Sequence, residues 1–220
     1  MSTIDIAEAR MPRLMVPTSE QRIFRGGSAD PLTTMRNDLI AIVKAHGLKT
    51  FAEPLQLASG EWSCDFIDGK RALARGADLK LACRALIEAV AERGVEWDAV
   101  GGLTLGADQF AHVTAVLAEK RWFVVRKQTK GRGTNQKIEG ASIDEATRVL
   151  LVDDVVTTGG SIQQAYEAIR EVGATVVGAV TLVDRGDTAA RFFEGQGVPY
   201  IPLVTYKDLE IVPVGAAAAI

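Results

Sequence analysis

Two adjacent carboxylates, Asp153 and Asp154, stand just ahead of a hydroxyl- and glycine-rich run, Thr157, Thr158, Gly159, Gly160 and Ser161. Directly before the pair lie four apolar residues without alternation, Val149, Leu150, Leu151 and Val152. A run of that kind suits a strand buried on both faces, with the acidic pair where the strand should end. After the run, Ile162, Ala165, Tyr166, Ile169 and Val172 recur at helical spacing, and Gly173 supplies a stop. The order is therefore buried strand, acids, Gly/hydroxyl loop, helix. A loop that feeds a helix N-terminus aims unpaired N–H groups and the positive dipole end at one spot, which suits a phosphate. Glycines let the backbone close around it, and the hydroxyls add donors. Two carboxylates beside a phosphate cradle would repel the phosphate, but they can accept hydrogen bonds from sugar hydroxyls. A sugar phosphate satisfies both halves.

Other stretches carry related chemistry. Residues 101–110, G-G-L-T-L-G-A-D-Q-F, form a second glycine-rich passage from a strand into a helix, and so a second place for an anion. The strand at 122–125 opens into the most basic part of the chain, with Arg126, Lys127, Lys130, Arg132 and Lys137 against Glu139. It has no apolar period and reads as a mobile loop over 126–140. Such a loop can close over a charged substrate, exclude water and neutralise a leaving group. Residues 58–71 carry turn signals at Ser59-Gly60 and Asp68-Gly69 around a short aromatic segment with Phe66, and read as a hairpin. A valine-rich strand at 175–183 ends in Asp184-Arg185-Gly186-Asp187.

The elements that must position these groups follow from periodicity. Helices are expected over 31–47 and 78–93, and from the 101–110 passage to about 119, and strands at 51–57, 97–103, 122–125, 175–183 and 198–203. Alternating strands and helices imply an α/β fold, a mainly parallel sheet flanked by helices, with ligand loops at the carboxyl ends of its strands. Residues 1–30 read as a flexible N-terminal arm. Residues 31–220 read as a single domain, with a small N-terminal hood drawn mainly from 31–71.

Composition removes several classes. The net charge of −3 in 220 residues argues against general nucleic-acid binding. Two cysteines, Cys64 and Cys83, and two histidines, His46 and His112, argue against a zinc site or a Ser-His-Asp set. No apolar run has the length of a membrane span, and no signal-peptide core is seen, so a cytoplasmic protein is expected. Neither a G-x-x-x-x-G-K-S/T loop nor a strand-linked G-x-G-x-x-G occurs.

The run at 149–161 resembles the phosphoribosyl diphosphate (PRPP) motif of the type I phosphoribosyltransferases, and the chain from about 57 to 187 is similar to the orotate phosphoribosyltransferases among them. The resemblance implies the type I phosphoribosyltransferase fold and transfer of ribose 5-phosphate from PRPP to orotate, with Mg2+ as cofactor. It implies that Asp153 and Asp154 hold the ribose and that Thr157 to Ser161 hold its phosphate. Gly101 to Ala107 matches the family's diphosphate loop, so Thr104, Leu105, Gly106 and Ala107 are expected to grip diphosphate with main-chain amides. Arg126, Lys127, Lys130 and Gly133 match a catalytic loop of the form R-K-x-x-K-x-H-G, which reaches into a partner subunit. That implies a homodimer sharing the 126–140 loop, with Lys130, Asp154 and Arg132 as catalytic residues. Arg132 stands where the family has histidine, and an arginine stabilises charge but does not shuttle protons. Val183-Asp184-Arg185 matches a family V-D-R whose arginine contacts the base carboxylate, and Phe66 falls in the segment over the base. Ala58 replaces a lysine found in some members. Two alternatives stay open: the same transfer to another nucleobase, and a non-catalytic PRPP-binding regulator.

Overall fold

The apolar run at 149–152 lies at the centre of a six-stranded sheet. In the computed structural model, which describes residues 30–127 and 137–214, it belongs to strand β6, Arg148–Val156. The preceding strands of that sheet are β3, Ala99–Leu103, β4, Arg121–Val125, and β5, Ile138–Gly140. Those that follow are β7, Thr175–Asp184, and β8, Tyr200–Thr205. The spatial order is β5-β4-β3-β6-β7-β8, parallel except for β5, which pairs antiparallel with β4. An earlier hairpin, β1, Leu48–Gln56, with β2, Trp62–Ile67, stands as a separate two-stranded sheet. It turns through 57–61, where Leu57 N–H donates to Glu61 O at 2.7 Å.

Among the described residues, seven α-helices fill the intervals. They are α1, Pro31–Ile42, which runs on into a π-helical turn at Val43–Gly47; α2, Gly69–Ala72; and α3, Gly76–Glu92. Then come α4, Asp108–Ala118; α5, Gly160–Glu171; α6, Thr188–Gly195; and α7, Tyr206–Leu209. Period-two alternation along β6 explains why its sequence shows none. Leu150 and Val152 join a core with α1, α3 and α4, through Leu39, Leu86 and Phe110. Val149 and Leu151 join the opposite core with α5 and α6, through Ile162, Ile169 and Phe193. Both faces are buried, so every position of the run is apolar. Among the described residues, no helix is long and apolar enough to cross a membrane.

Three expectations are corrected here. The acidic pair lies inside β6 rather than past its end. β6 pairs with β3 only from Val149 to Leu151, but with β7 as far as Val156, opposite Asp184. It therefore outlasts one neighbour while remaining paired to the other. The basic stretch is not loop throughout, because its far end forms β5 at the sheet edge. Asp68 does not turn a hairpin; its carboxylate accepts from Arg71 N–H at 3.0 Å and caps α2. The arm expected at 1–30 lies, apart from Asp30, outside the described residues.

Candidate active site

Where β6 runs past the end of β3, its free edge meets the loop that follows β3. Asp153 and Asp154 sit on this projecting part, 4% and 7% exposed. Local bonds orient them: Asp154 N–H donates to Asp153 Oδ1 at 2.9 Å, and Val155 N–H donates to Asp154 Oδ1 at 2.8 Å. Burial, and then the neighbouring Asp154 carboxylate, push the Asp153 carboxyl well above its usual range. The β3 loop closes on the pair at Gly106. A Cβ there would fall 2.5 Å from Asp154 Oδ1 and 2.8 Å from Asp153 Oδ1. Only glycine permits that approach, and it brings a stretch of backbone against two carboxylates.

The loop itself is divided. Thr104 N–H donates to Val125 O at 2.8 Å and Ala107 N–H to Leu103 O at 3.2 Å, so these two amides are engaged within the fold. Leu105, between them in this loop, is 74% exposed. The Thr104–Leu105 peptide is cis. Behind the loop, Asp108 opens α4 with Oδ1 buried and without a hydrogen-bond partner. Burial raises its carboxyl, a rise opposed by His112 and reinforced by Asp154.

On the other side of the pair, Thr157, Thr158 and Gly159 lead from β6 into α5. Gly159 caps the helix at φ +84°, while Gly160 and Ser161 form its first turn. The first-turn N–H groups of α5 have no partner within the helix, so they face the same end of the sheet as the acids. The β3 loop, at Gly106, and the start of α5 thus lie on either side of the acidic pair along the chain.

Sequence reasoning missed Lys70. It lies on α2, and its Nζ is 3.2 Å from Asp154 Oδ2. No local pattern announced it, because its partner is 84 residues away. Arg185 has partners that its sequence neighbourhood does not announce. It is 1% exposed, with Nη1 donating to Asp65 O at 2.8 Å and Nη2 to Ser63 Oγ at 3.0 Å, while Nε has no partner. It ties β2 to the end of β7, and burial lowers its pKa, opposed by Asp65. Phe66 is half-buried on β2 next to Asp65. Arg126 is held by Glu139 at 2.7 Å, and Gln164 Nε2 donates to Lys127 O at 3.1 Å, which anchors the start of the basic loop on β5 and α5. Lys130 and Arg132 lie outside the described residues. Among the described residues, no group of three or more His, Cys, Asp or Glu side chains is arranged to hold a metal ion.

The sheet, its strand-end loops and this acidic pair define the phosphoribosyltransferase class, and residues 71–191 match the family profile described as "Phosphoribosyl transferase domain". The orotate phosphoribosyltransferase of Pyrococcus furiosus is 35% identical over 175 residues, covering 80% of this chain and 95% of that protein. That of Methanocaldococcus jannaschii is 37% identical over 175 residues, covering 80% and 97%. The Mycobacterium tuberculosis orotate phosphoribosyltransferase, solved in complex with PRPP, superposes with a TM-score of 0.64 at 32% identity, covering 80% of this chain and 99% of that one. The chain belongs to the orotate phosphoribosyltransferase family.

Proposed function

We propose that the chain transfers the ribose 5-phosphate group of PRPP to orotate, giving orotidine 5'-phosphate and diphosphate. One observation carries the reading: the β3 loop abuts both carboxylates at Gly106, next to the α5 N-terminus. Amides for a diphosphate, acceptors for ribose hydroxyls and amides for a 5-phosphate then lie in sequence along one molecule of PRPP. In the transfer, the bond from the anomeric carbon to the diphosphate oxygen breaks, and its electron pair leaves with diphosphate. A base nitrogen, giving up its N–H proton to the diphosphate or solvent, forms the new bond to the same carbon. The sugar ring gains positive charge and the leaving group negative charge. The buried acids favour the first, and the cations of the basic loop, Lys130, Arg132, Lys127 and Arg126, favour the second. Arg126 must release Glu139 to take part. Mg2+, if bound with PRPP, would supply charge neutralisation for the departing diphosphate, a role that asks for few protein carboxylates.

The exposed Val116 and Trp122, on α4 and β4, support an apolar contact with a second copy, so a homodimer sharing the 126–140 loop is part of the proposal. Arg185 and Phe66 are assigned to the base side, with Arg185 acting through the hairpin it ties down as well as through any contact with the base. That engagement is why base choice needs a direct test. Purified protein with PRPP, Mg2+ and a panel of purines and pyrimidines should release diphosphate with orotate. Release with another base but not with orotate would move the chain to a different substrate. Tight PRPP binding without release on any base would make it a regulator.

A further inference from the structure

Lys70 comes from outside the strand-end loops, yet it reaches the centre of the site. Its position is fixed by three local features. Asp68 caps α2 through Arg71 N–H. Gly69 lets the first turn of α2 lie against β6, where a Cβ would fall 3.0 Å from Val155 Cγ2 and 3.1 Å from Asp154 Cβ. Lys70, next in the chain, then extends across that contact to Asp154 Oδ2. Asp153 Oδ1 and Asp154 Oδ1 already accept backbone N–H groups, so Oδ2 of Asp154 is the oxygen turned away from the strand.

The charges that face the pair are few. α2 and its cap bring Lys70 and Asp68. α4 brings Asp108, with His112 behind it. β8 brings Tyr200, whose hydroxyl is pushed upward by burial, then by Asp184, and least by Asp153. The β3 loop brings the backbone of Gly106. Lys70 supplies the positive charge in this set, against two buried acids and a third nearby.

We propose that Lys70 is a positioning residue of the sugar site: its ammonium holds Asp154 Oδ2 in place and opposes protonation of the buried Asp153–Asp154 pair, so that the pair can accept ribose hydroxyls. The electrostatics agree in direction. Burial works against the Lys70 ammonium, but Asp154, through charge and hydrogen bond, together with Asp68 and Asp153 outweighs it, and the lysine pKa ends raised. On Asp153, Lys70 acts to lower a carboxyl that burial and Asp154 raise. Two like charges so close cannot both stay ionised in a buried site without a counter-ion. The proposal rests on the sugar-phosphate reading of the site for its purpose, but not for its test.

The test compares wild type with Lys70→Met, which keeps the length of the stem, and Lys70→Arg, which keeps the charge. Thermal melting first shows that each is folded. Aspartate carboxyl 13C shifts are then followed against pH in protein alone. The apparent midpoint of the acidic pair should rise by about half a unit or more in Lys70→Met, a discounted form of the usual effect of a nearby opposite charge. It should return to within about 0.2 unit of wild type in Lys70→Arg. The PRPP dissociation constant, measured over the same pH range, should show its acidic limb displaced in the same direction. Unchanged carboxyl midpoints in Lys70→Met would overturn the proposal, as would a Lys70→Arg protein that behaves like Lys70→Met. Wild type that binds no PRPP at any pH would remove the functional reading instead, and the carboxyl titration would still decide the role of Lys70.

Discussion

Gly106→Ala puts one methyl group into the tightest contact of the site. Its Cβ would lie 2.5 Å from Asp154 Oδ1 and 2.8 Å from Asp153 Oδ1, against an ordinary contact of about 3.4 Å. Neither carboxylate can step back freely, because both Oδ1 atoms are held by backbone N–H groups of β6. The β3 loop must therefore move, by roughly 1 Å. Overpacking of this kind costs about 1–3 kcal/mol. For a chain of this length that lowers Tm by about 2–10 °C. The catalytic cost is larger in proportion, since a displacement of about 1 Å in a positioning element can reduce rate about a hundredfold. The assay is kcat/KM for PRPP by diphosphate release, with melting curves alongside. Gly76→Ala is the control: a Cβ at that helix start meets nothing within 4 Å, so its activity should match wild type and its Tm should not fall. If Gly106→Ala kept wild-type kcat/KM within about twofold, the loop would not be a working part of the site.

Further predictions follow from the same geometry. Burial holds the Asp184 carboxyl up at about 6, against an ordinary 3.8, and the Gly186 N–H opposes the rise. The folded state therefore binds that proton more tightly than the unfolded chain, so stability falls as pH rises from about 4 to about 6, by on the order of 2–3 kcal/mol. Asp184→Asn should gain Tm over wild type as pH goes from 4 to 7, and a constant Tm difference would refute the assignment. Arg185→Met should remove the guanidinium bonds to Asp65 O and Ser63 Oγ, leaving Ser63 Oγ only the Asp65 N–H, and cost about 1–3 kcal/mol. The loss should be read in faster amide exchange across β1 and β2 than in β6. Lys130→Ala should lower turnover at least about tenfold while PRPP affinity stays near wild type, as for a contact made in the transition state; an unaltered turnover number would take the basic loop out of the mechanism.

How much of this was legible depends on distance along the chain. The buried strand, the acidic pair and the α5 start could be read together, because they are neighbours in sequence and each obeys a local rule. The same holds for α3 and the β3-to-α4 passage. The end of β6 could not be read, because it is set by pairing with β7, and nothing in residues 153–156 records that register. β5 was hidden for a similar reason: three residues, Ile138 to Gly140, acquire strand geometry from β4. With it came the Arg126–Glu139 pair, which turns a presumed free cation into an anchored one. The Lys70–Asp154 contact and the bonds of Arg185 to Asp65 and Ser63 were missed because the partners lie 84 and 120 or more residues away. The one local hint at Lys70 was Asp68-Gly69 before it, a cap and a residue small enough to let α2 touch β6.

The central claim is that the projecting end of β6 and its flanking loops hold a phosphorylated pentose. The direct measurement is a crystal structure of this protein with PRPP and Mg2+. The account predicts ribose hydroxyls within hydrogen-bond distance of Asp153 and Asp154, the 5-phosphate on the amides of 157–161, and diphosphate against Leu105 and Gly106. PRPP bound elsewhere, with the acidic pair untouched, would contradict it.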